Sequence, residues 1–250
     1  MSNNTATATP PRRLCEQIFL MLTREQFHAN LAAVRARIGA ACADAGRDPR
    51  SVLLLPVTKT HPAEAAALAF EAGYGAVGEN RAQEAAAKRP LAPAALRWEL
   101  IGHLQSNKAK LAAATFDRVQ SLDSPELAEK LGRSCVEIGK TLPVLLQANA
   151  GHDSAKAGVA DFDALLRLAE TAAACPALRI EGLMTIPALD ADPAVARRAF
   201  DTLRGWRDTL AERTGLALPQ LSMGMSGDLE SAIAAGATII RVGTALFGVR

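Results

Sequence analysis

Between residues 27 and 42 the apolar side chains Phe27, Leu31, Val34, Ile38 and Cys42 recur at the spacing of one helix face, and Gly46 and Pro49 supply a stop. Beyond this leading helix, short runs rich in Leu, Val and Ile alternate with Ala-rich stretches of helical pattern. Eight candidate strands can be placed, at residues 52–59, 76–79, 98–101, 118–122, 143–149, 180–186, 221–223 and 238–242. The helices between them are expected to begin near Pro62, Arg81, Ser106, Ser124, Asp161, Pro193 and Gly227; Ser124-Pro125-Glu126, for example, combines a capping hydroxyl with a first-turn proline. Eight such units are the number that closes a (β/α)8 TIM-type barrel. An open doubly wound sheet also alternates strand and helix, but it usually opens with a Gly-rich turn after its first strand, and Val57-Thr58-Lys59-Thr60-His61-Pro62 is not one.

Composition refines this picture without redirecting it. The chain has 250 residues, 49% hydrophobic and 22% charged, with no break in composition. That favours one barrel domain over residues 26–250, with residues 1–25 read as a disordered or irregular N-terminal extension. A net charge of +2, scattered along the chain, argues against a nucleic-acid partner, and no apolar run approaches the roughly 18–20 residues that span a bilayer. Cys15, Cys42, Cys135 and Cys175 are far apart and form no CxxC, so neither a zinc site nor a disulfide framework is expected, and a reducing cytoplasm fits. His28, His61, His103 and His152 show no metal-binding spacing.

In a β/α barrel the chemistry gathers at the C-terminal ends of the strands. Lys59 ends the first strand, where desolvation lowers an amine's pKa and frees it to attack an aldehyde; the competing reading is a structural ion pair with Glu79. Asn80 follows strand two, and Gly102-His103-Leu104-Gln105-Ser106-Asn107-Lys108 follows strand three. Ser226-Gly227 and Gly243-Thr244 follow strands seven and eight, where barrels often cradle a phosphate, although glycine turns there also serve packing. A Schiff-base lysine facing phosphate turns describes a site for a phosphorylated aldehyde, with pyridoxal phosphate (PLP) the candidate. Lys156, in the loop after strand five, reads either as a second amine near the mouth or as a solvated loop lysine.

These blocks carry a resemblance. Leu55-Pro56-Val57-Thr58-Lys59-Thr60, Gly78-Glu79-Asn80, Ile101 through Lys108, Gly182-Leu183-Met184-Thr185-Ile186-Pro187, Ser222-Met223-Gly224-Met225-Ser226, and Arg241 through Gly248 resemble the pyridoxal phosphate homeostasis protein family, the single-domain relatives of alanine racemase. The resemblance runs from about Phe27 to the end of the chain, with the motifs in the family's order. It implies a fold-type III PLP barrel without a second β-domain, PLP held as a Schiff base on Lys59, Arg241 facing the pyridine nitrogen, and Asn80 beside the ring. Ser226, Gly243 and Thr244 would hold the phosphate. Glu99 stands where the family often has a histidine, away from every cofactor contact the resemblance implies.

An arginine at the pyridine nitrogen leaves that nitrogen unprotonated and the ring a poor electron sink, which disfavours transamination and decarboxylation. The resemblance implies a non-catalytic role in intracellular PLP homeostasis, buffering the cofactor or delivering it to PLP-dependent apo-enzymes. The alternative is a PLP-dependent amino-acid racemase, which needs a second acid/base group. Tyr74, the one tyrosine, falls in the turn after the first barrel helix, outside the expected site, while His103 could substitute. Because the chain ends just after the eighth unit, at Arg250, the racemases' additional dimer-building domain is not expected, and a monomer is.

Overall fold

The computed structural model describes residues 23–153, 155–190 and 192–248. Its first element, helix α1 (Arg24–Asp44), starts where the Thr23 hydroxyl accepts the Gln26 N–H at 3.1 Å. Phe27, Leu31, Val34, Ile38 and Cys42 are all buried along one face, as their spacing predicts. The helix begins just inside the segment expected to be irregular; residues 1–22, which carry the rest of that segment and Cys15, lie outside the described residues.

Eight strands follow: β1 (Leu53–Pro56), β2 (Ala76–Glu79), β3 (Arg97–Leu100), β4 (Arg118–Leu122), β5 (Leu142–Gln147), β6 (Leu178–Met184), β7 (Gln220–Ser222) and β8 (Ile239–Val242). The helices between them are α2 (Ala63–Glu71), α3 (Ala82–Lys88), α4 (Ala109–Thr115), α5 (Pro125–Glu137), α6 (Phe162–Ala173), α7 (Pro193–Thr214) and α8 (Leu229–Ala234), and a short α9 (Thr244–Phe247) follows β8. Two of the caps expected from sequence operate, whereas Pro62 and Arg81 make no side-chain cap hydrogen bond. Ser124 and Asp161 accept backbone N–H groups at the starts of α5 and α6, and Asp192 does so for α7 ahead of Pro193.

All strands run parallel in the order β1-β8-β7-β6-β5-β4-β3-β2, and a single bridge from Val57 to Gly78 brings β1 back to β2. The chain is therefore a nearly closed (β/α)8 barrel. One boundary needs correction. The first strand ends at Pro56 rather than at Lys59, because its partner β8 gives way to the Gly243 turn after Val242 and the backbone reaches a left-handed conformation at Thr60, φ 65°. β6 is kinked where its register against β5 skips Glu181; a Cβ on Gly182 would lie 1.9 Å from the Gln220 carbonyl oxygen, so only glycine lets β7 approach there.

Side chains alternate between two cores. Outward residues such as Val77, Trp98, Leu100 and Val119 pack against the helices, whereas Leu55, Ala76, Leu145, Met184 and Ile239 meet inside the barrel. The interior is not uniformly apolar: Glu99, Gln120, Ser222 and Arg241 are buried as well. The period of two explains it, since Glu99 lies between outward Trp98 and Leu100 and Gln120 directly follows outward Val119.

Helix α1 covers the last-formed end of the barrel. Phe27 stacks on Phe247 with ring centroids 5.4 Å apart, Asn30 donates to the Leu246 carbonyl at 3.0 Å, and Arg37 donates to the Ser226 carbonyl at 3.0 Å. Arg37 also forms a two-pronged pair with Glu230, at 2.7 and 2.9 Å. Replacing the fully buried Phe27 by alanine is expected to lower stability by about 3–5 kcal/mol in urea unfolding. The Arg37 hydrogen bond holds the Glu230 carboxyl below its usual value of 4.5. A depressed carboxyl stabilises the fold above the unfolded-state value and loses that contribution as pH falls through the folded one. The stability difference between the wild type and Arg37→Ala, at most about 1 kcal/mol for so exposed a pair, should accordingly shrink below pH 4.5 in unfolding titrations.

Candidate functional site

The strand ends converge on a cavity of about 380 Å3, within the range of small-molecule sites. Lys59, Asn80, Ser226, Arg241, Gly243 and Thr244 all line it, so the six residues singled out in the sequence are brought together. His61, Gln147, Ile186 and Met225 line it too and were not foreseen as site residues.

Lys59 is half-buried in the turn after β1, and that turn is fixed from below. The Lys88 ammonium, on α3, donates to the Thr58 carbonyl at 2.9 Å, to Glu79 at 2.9 Å and to Glu84 at 2.6 Å. Glu84 in turn accepts the Thr60 N–H at 2.5 Å, and Glu79 accepts the Thr58 hydroxyl at 2.7 Å. The residues on both sides of Lys59 are thus clamped by one buried cluster, which holds Thr60 in its left-handed conformation. Glu79 accepts from Thr58 and pairs with Lys88, so Lys88 is an ion-pair partner that the sequence did not suggest for it. Burial pushes the Glu79 carboxyl up, against the pull of Thr58 and Lys88. Burial also opposes the Glu84 charge, yet Lys88 and the Thr60 N–H together hold that carboxyl below its ordinary value.

Arg241 projects from β8 at 3% exposure. It donates to the Ser222 hydroxyl at 2.7 Å and to the Thr185 carbonyl at 2.9 Å, leaving the rest of its five N–H groups for the cavity side. Desolvation lowers its pKa to about 10, opposed by Asp228, so it is a cation at neutral pH. Ser222 donates to Gln120 at 2.5 Å, Gln120 donates to Glu99 at 2.6 Å, and Arg118 pairs with Glu99 at 3.3 Å and with Glu181 at 2.9 Å. Glu99, which from sequence stands apart from the site, is therefore joined to Arg241 through Gln120 and Ser222.

The two turns expected to bind phosphate are tied to each other. The Ser226 hydroxyl accepts the Ala245 N–H at 3.3 Å, while Asp228 accepts the Met225 N–H at 2.6 Å and so shapes the approach to Ser226-Gly227. At Gly227 an added Cβ would meet nothing within 4 Å, so the turn is open on that side.

Across the mouth, His103 is exposed and its Nδ1 lies 2.9 Å from Asp123, whose carboxyl burial pushes up while the His103 hydrogen bond pulls it down. Lys156 lines the cavity on a loop organised by Asn149, which donates to the Asp153 carbonyl at 2.8 Å. Gln147 donates to the Ala157 carbonyl at 3.0 Å, but its buried Oε1 has no hydrogen-bond partner among the described residues. Tyr74 is elsewhere, accepting a hydrogen bond from Arg35 at 3.0 Å.

Comparisons with known proteins agree with this geometry. The pattern of the family described as alanine racemase, N-terminal domain, matches residues 27–250. A Pseudomonas aeruginosa protein named pyridoxal phosphate homeostasis protein is 45% identical over 222 residues, covering 88% of this chain and 94% of that one. Its namesake in Escherichia coli K12 is 39% identical over 231 residues, covering 88% and 95%. Among solved structures, PipY of Synechococcus elongatus PCC7942, determined with PLP bound, shares 38% identity at a TM-score of 0.77, covering 89% of this chain and all of that one. An alanine racemase of Clostridium difficile 630 superposes at a TM-score of 0.72 with 13% identity and 57% of its length covered, a likeness of fold alone. Matched along the whole barrel by a family pattern and along most of its length by close relatives, the chain belongs to the alanine racemase N-terminal-domain family, among the pyridoxal phosphate homeostasis proteins.

Proposed function

We propose that this single barrel domain, residues 26–250, binds PLP as a Schiff base on Lys59 and serves in intracellular PLP homeostasis, buffering the cofactor and delivering it to PLP-dependent apo-enzymes rather than catalysing a conventional reaction. The observation that carries this reading is the convergence of Lys59, Arg241 and both phosphate turns on one cavity, in a chain whose relatives are named for PLP homeostasis. A monomeric, cytoplasmic protein belongs to the same reading. No helix among the described residues is long and apolar enough to cross a membrane.

The donor set suits the cofactor. An amine meets an aldehyde, a guanidinium meets a ring nitrogen, and the Ser226 and Thr244 hydroxyls with the glycine turns meet a phosphate. The unpartnered Gln147 Oε1 is a buried polar atom that a polar ligand in this cavity would satisfy, and the Arg241 cation lines the same cavity. When bound, PLP supplies an electrophilic aldehyde and an electron-withdrawing ring. The protein's part is to orient Lys59 through the Thr58 and Thr60 clamp and to keep a full positive charge at the ring nitrogen, which holds that nitrogen unprotonated and weakens the ring as an electron sink. Asn80 is assigned to the edge of the ring.

The racemase alternative rests on His103, which contacts Asp123 and lines the same cavity as Lys59, whereas Tyr74 lies elsewhere. Incubation with alanine enantiomers separates the two readings: the homeostasis reading predicts no racemisation, and sustained turnover that is lost in His103→Ala would replace it.

Purified protein supplied with PLP should absorb near about 420 nm, and borohydride should fix the cofactor on Lys59. Lys59→Ala should abolish both signals; a wild type that shows neither would overturn the proposal. Glu84→Ala, which frees the Thr60 N–H, should slow the appearance of the band by roughly tenfold, a cost expected from misplacing a nucleophile, with little change in melting temperature.

A further inference from the structure

We propose that Glu99 is a positioning residue for Arg241, acting through Gln120 and Ser222 to fix the direction of a buried hydrogen-bond relay that presents the guanidinium to the nitrogen of a pyridine-type ring in the mouth cavity. The inference rests on the PLP reading and assigns residues that reading does not use.

The direction of the relay follows from donor and acceptor counting. A carboxylate can only accept, so Glu99 selects the amide face of Gln120 that carries hydrogen, and the Gln120 Nε2 lies 2.6 Å from it. That choice turns the Gln120 carbonyl oxygen toward Ser222, 2.5 Å away. Ser222 has one hydroxyl hydrogen, and this contact takes it. Its lone pairs are then the groups that face Arg241 Nη1 at 2.7 Å. Had Gln120 been free to flip, Ser222 would meet an NH2 group on one side and a guanidinium on the other, and could accept from both without fixing either. The second anchor of the guanidinium, the Thr185 carbonyl at 2.9 Å, lies on the other side of β7. Two acceptors thus define the plane of the guanidinium.

The origin of the relay is anchored by an arginine. Arg118 contacts both Glu99 oxygens, at 3.3 and 3.4 Å, and is itself paired with Glu181. Glu99, Gln120, Ser222 and Arg241 are each at most 3% exposed. A buried polar line of this kind is rarely more stable than apolar side chains of the same volume, and the other half of this barrel interior is apolar. What the line provides is orientation.

A ligand lacking the ring nitrogen distinguishes positioning from mere filling of the barrel. The experiment measures dissociation constants by absorbance for PLP and for its analogue with carbon in place of the ring nitrogen, in the wild type, Glu99→Gln, Ser222→Ala and the double variant. Glu99→Gln removes the charge and leaves an amide that can flip; Ser222→Ala removes the acceptor and is the milder change, so it carries the test should the first variant fail to fold by circular dichroism. Each single variant should weaken PLP by about tenfold, the worth of one charge-assisted hydrogen bond. The double variant should be no weaker than the poorer single one, because both cut the same line. The analogue should bind all four proteins alike within about twofold. Equal weakening of both ligands, or no weakening of either, overturns the proposal while leaving the PLP reading intact. A wild type that binds neither ligand overturns both.

Discussion

A guanidinium held inside a β-barrel is the constraint around which this interior is arranged. Arg241 is nearly sealed from solvent, and a cation in that position is tolerable only if its N–H groups find acceptors and its charge finds a counterweight. Ser222 and the Thr185 carbonyl supply the first and Asp228 contributes to the second. Ser222 needs Gln120, Gln120 needs Glu99, and Glu99 needs Arg118, so one buried charge near the mouth commits inward positions on four strands, β3, β4, β7 and β8. The apolar half of the interior, from Leu55 to Ile239, is what remains after that commitment.

The mouth obeys a second constraint, set by closure. Seven strand pairs are laddered, but β1 meets β2 only through the Val57–Gly78 bridge, and Lys59 lies just beyond that seam. Backbone hydrogen bonds reach only the start of the turn, from Val57 N–H to the Val242 carbonyl at 2.8 Å and from Thr58 N–H to the Gly78 carbonyl at 3.0 Å. The Lys88, Glu79 and Glu84 cluster adds to them, gripping the backbone at Thr58 and Thr60 on either side of Lys59. Lys59 and Arg241 are therefore positioned by two separate polar systems.

Much of this was legible in the residues. Hydrophobic period, caps and prolines located all eight strands and the leading helix, because those signals are local. Lys59, Ser226, Gly243 and Thr244 were legible because strand ends in a barrel must converge, whereas Asn80 and Arg241 were picked out by the family resemblance; all six line one cavity. What escaped notice depends on packing between distant segments. Lys88 looks like a surface lysine at the end of an Ala-rich helix, and only the seating of α3 beneath β1 buries it and claims Glu79 for it. The end of the first strand was placed three residues late, since nothing near Lys59 announces a left-handed threonine. Glu99 was read as remote from the site, yet the alternation Arg118-Val119-Gln120 already placed two polar side chains on the inner face of β4, a signal that pointed to a polar axis.

The site also draws on both ends of the chain. Asn30 reaches across 216 residues to Leu246, and Lys59 shares its cavity with Arg241 and Thr244. A chain made only as far as Ser222 carries Lys59 but neither the Ser226 turn nor Arg241. Closing so long a loop must wait for β8 and the turn that follows it, so the cavity takes shape only after Thr244 has been made. The order of synthesis thus puts Lys59 first and the walls that surround it last.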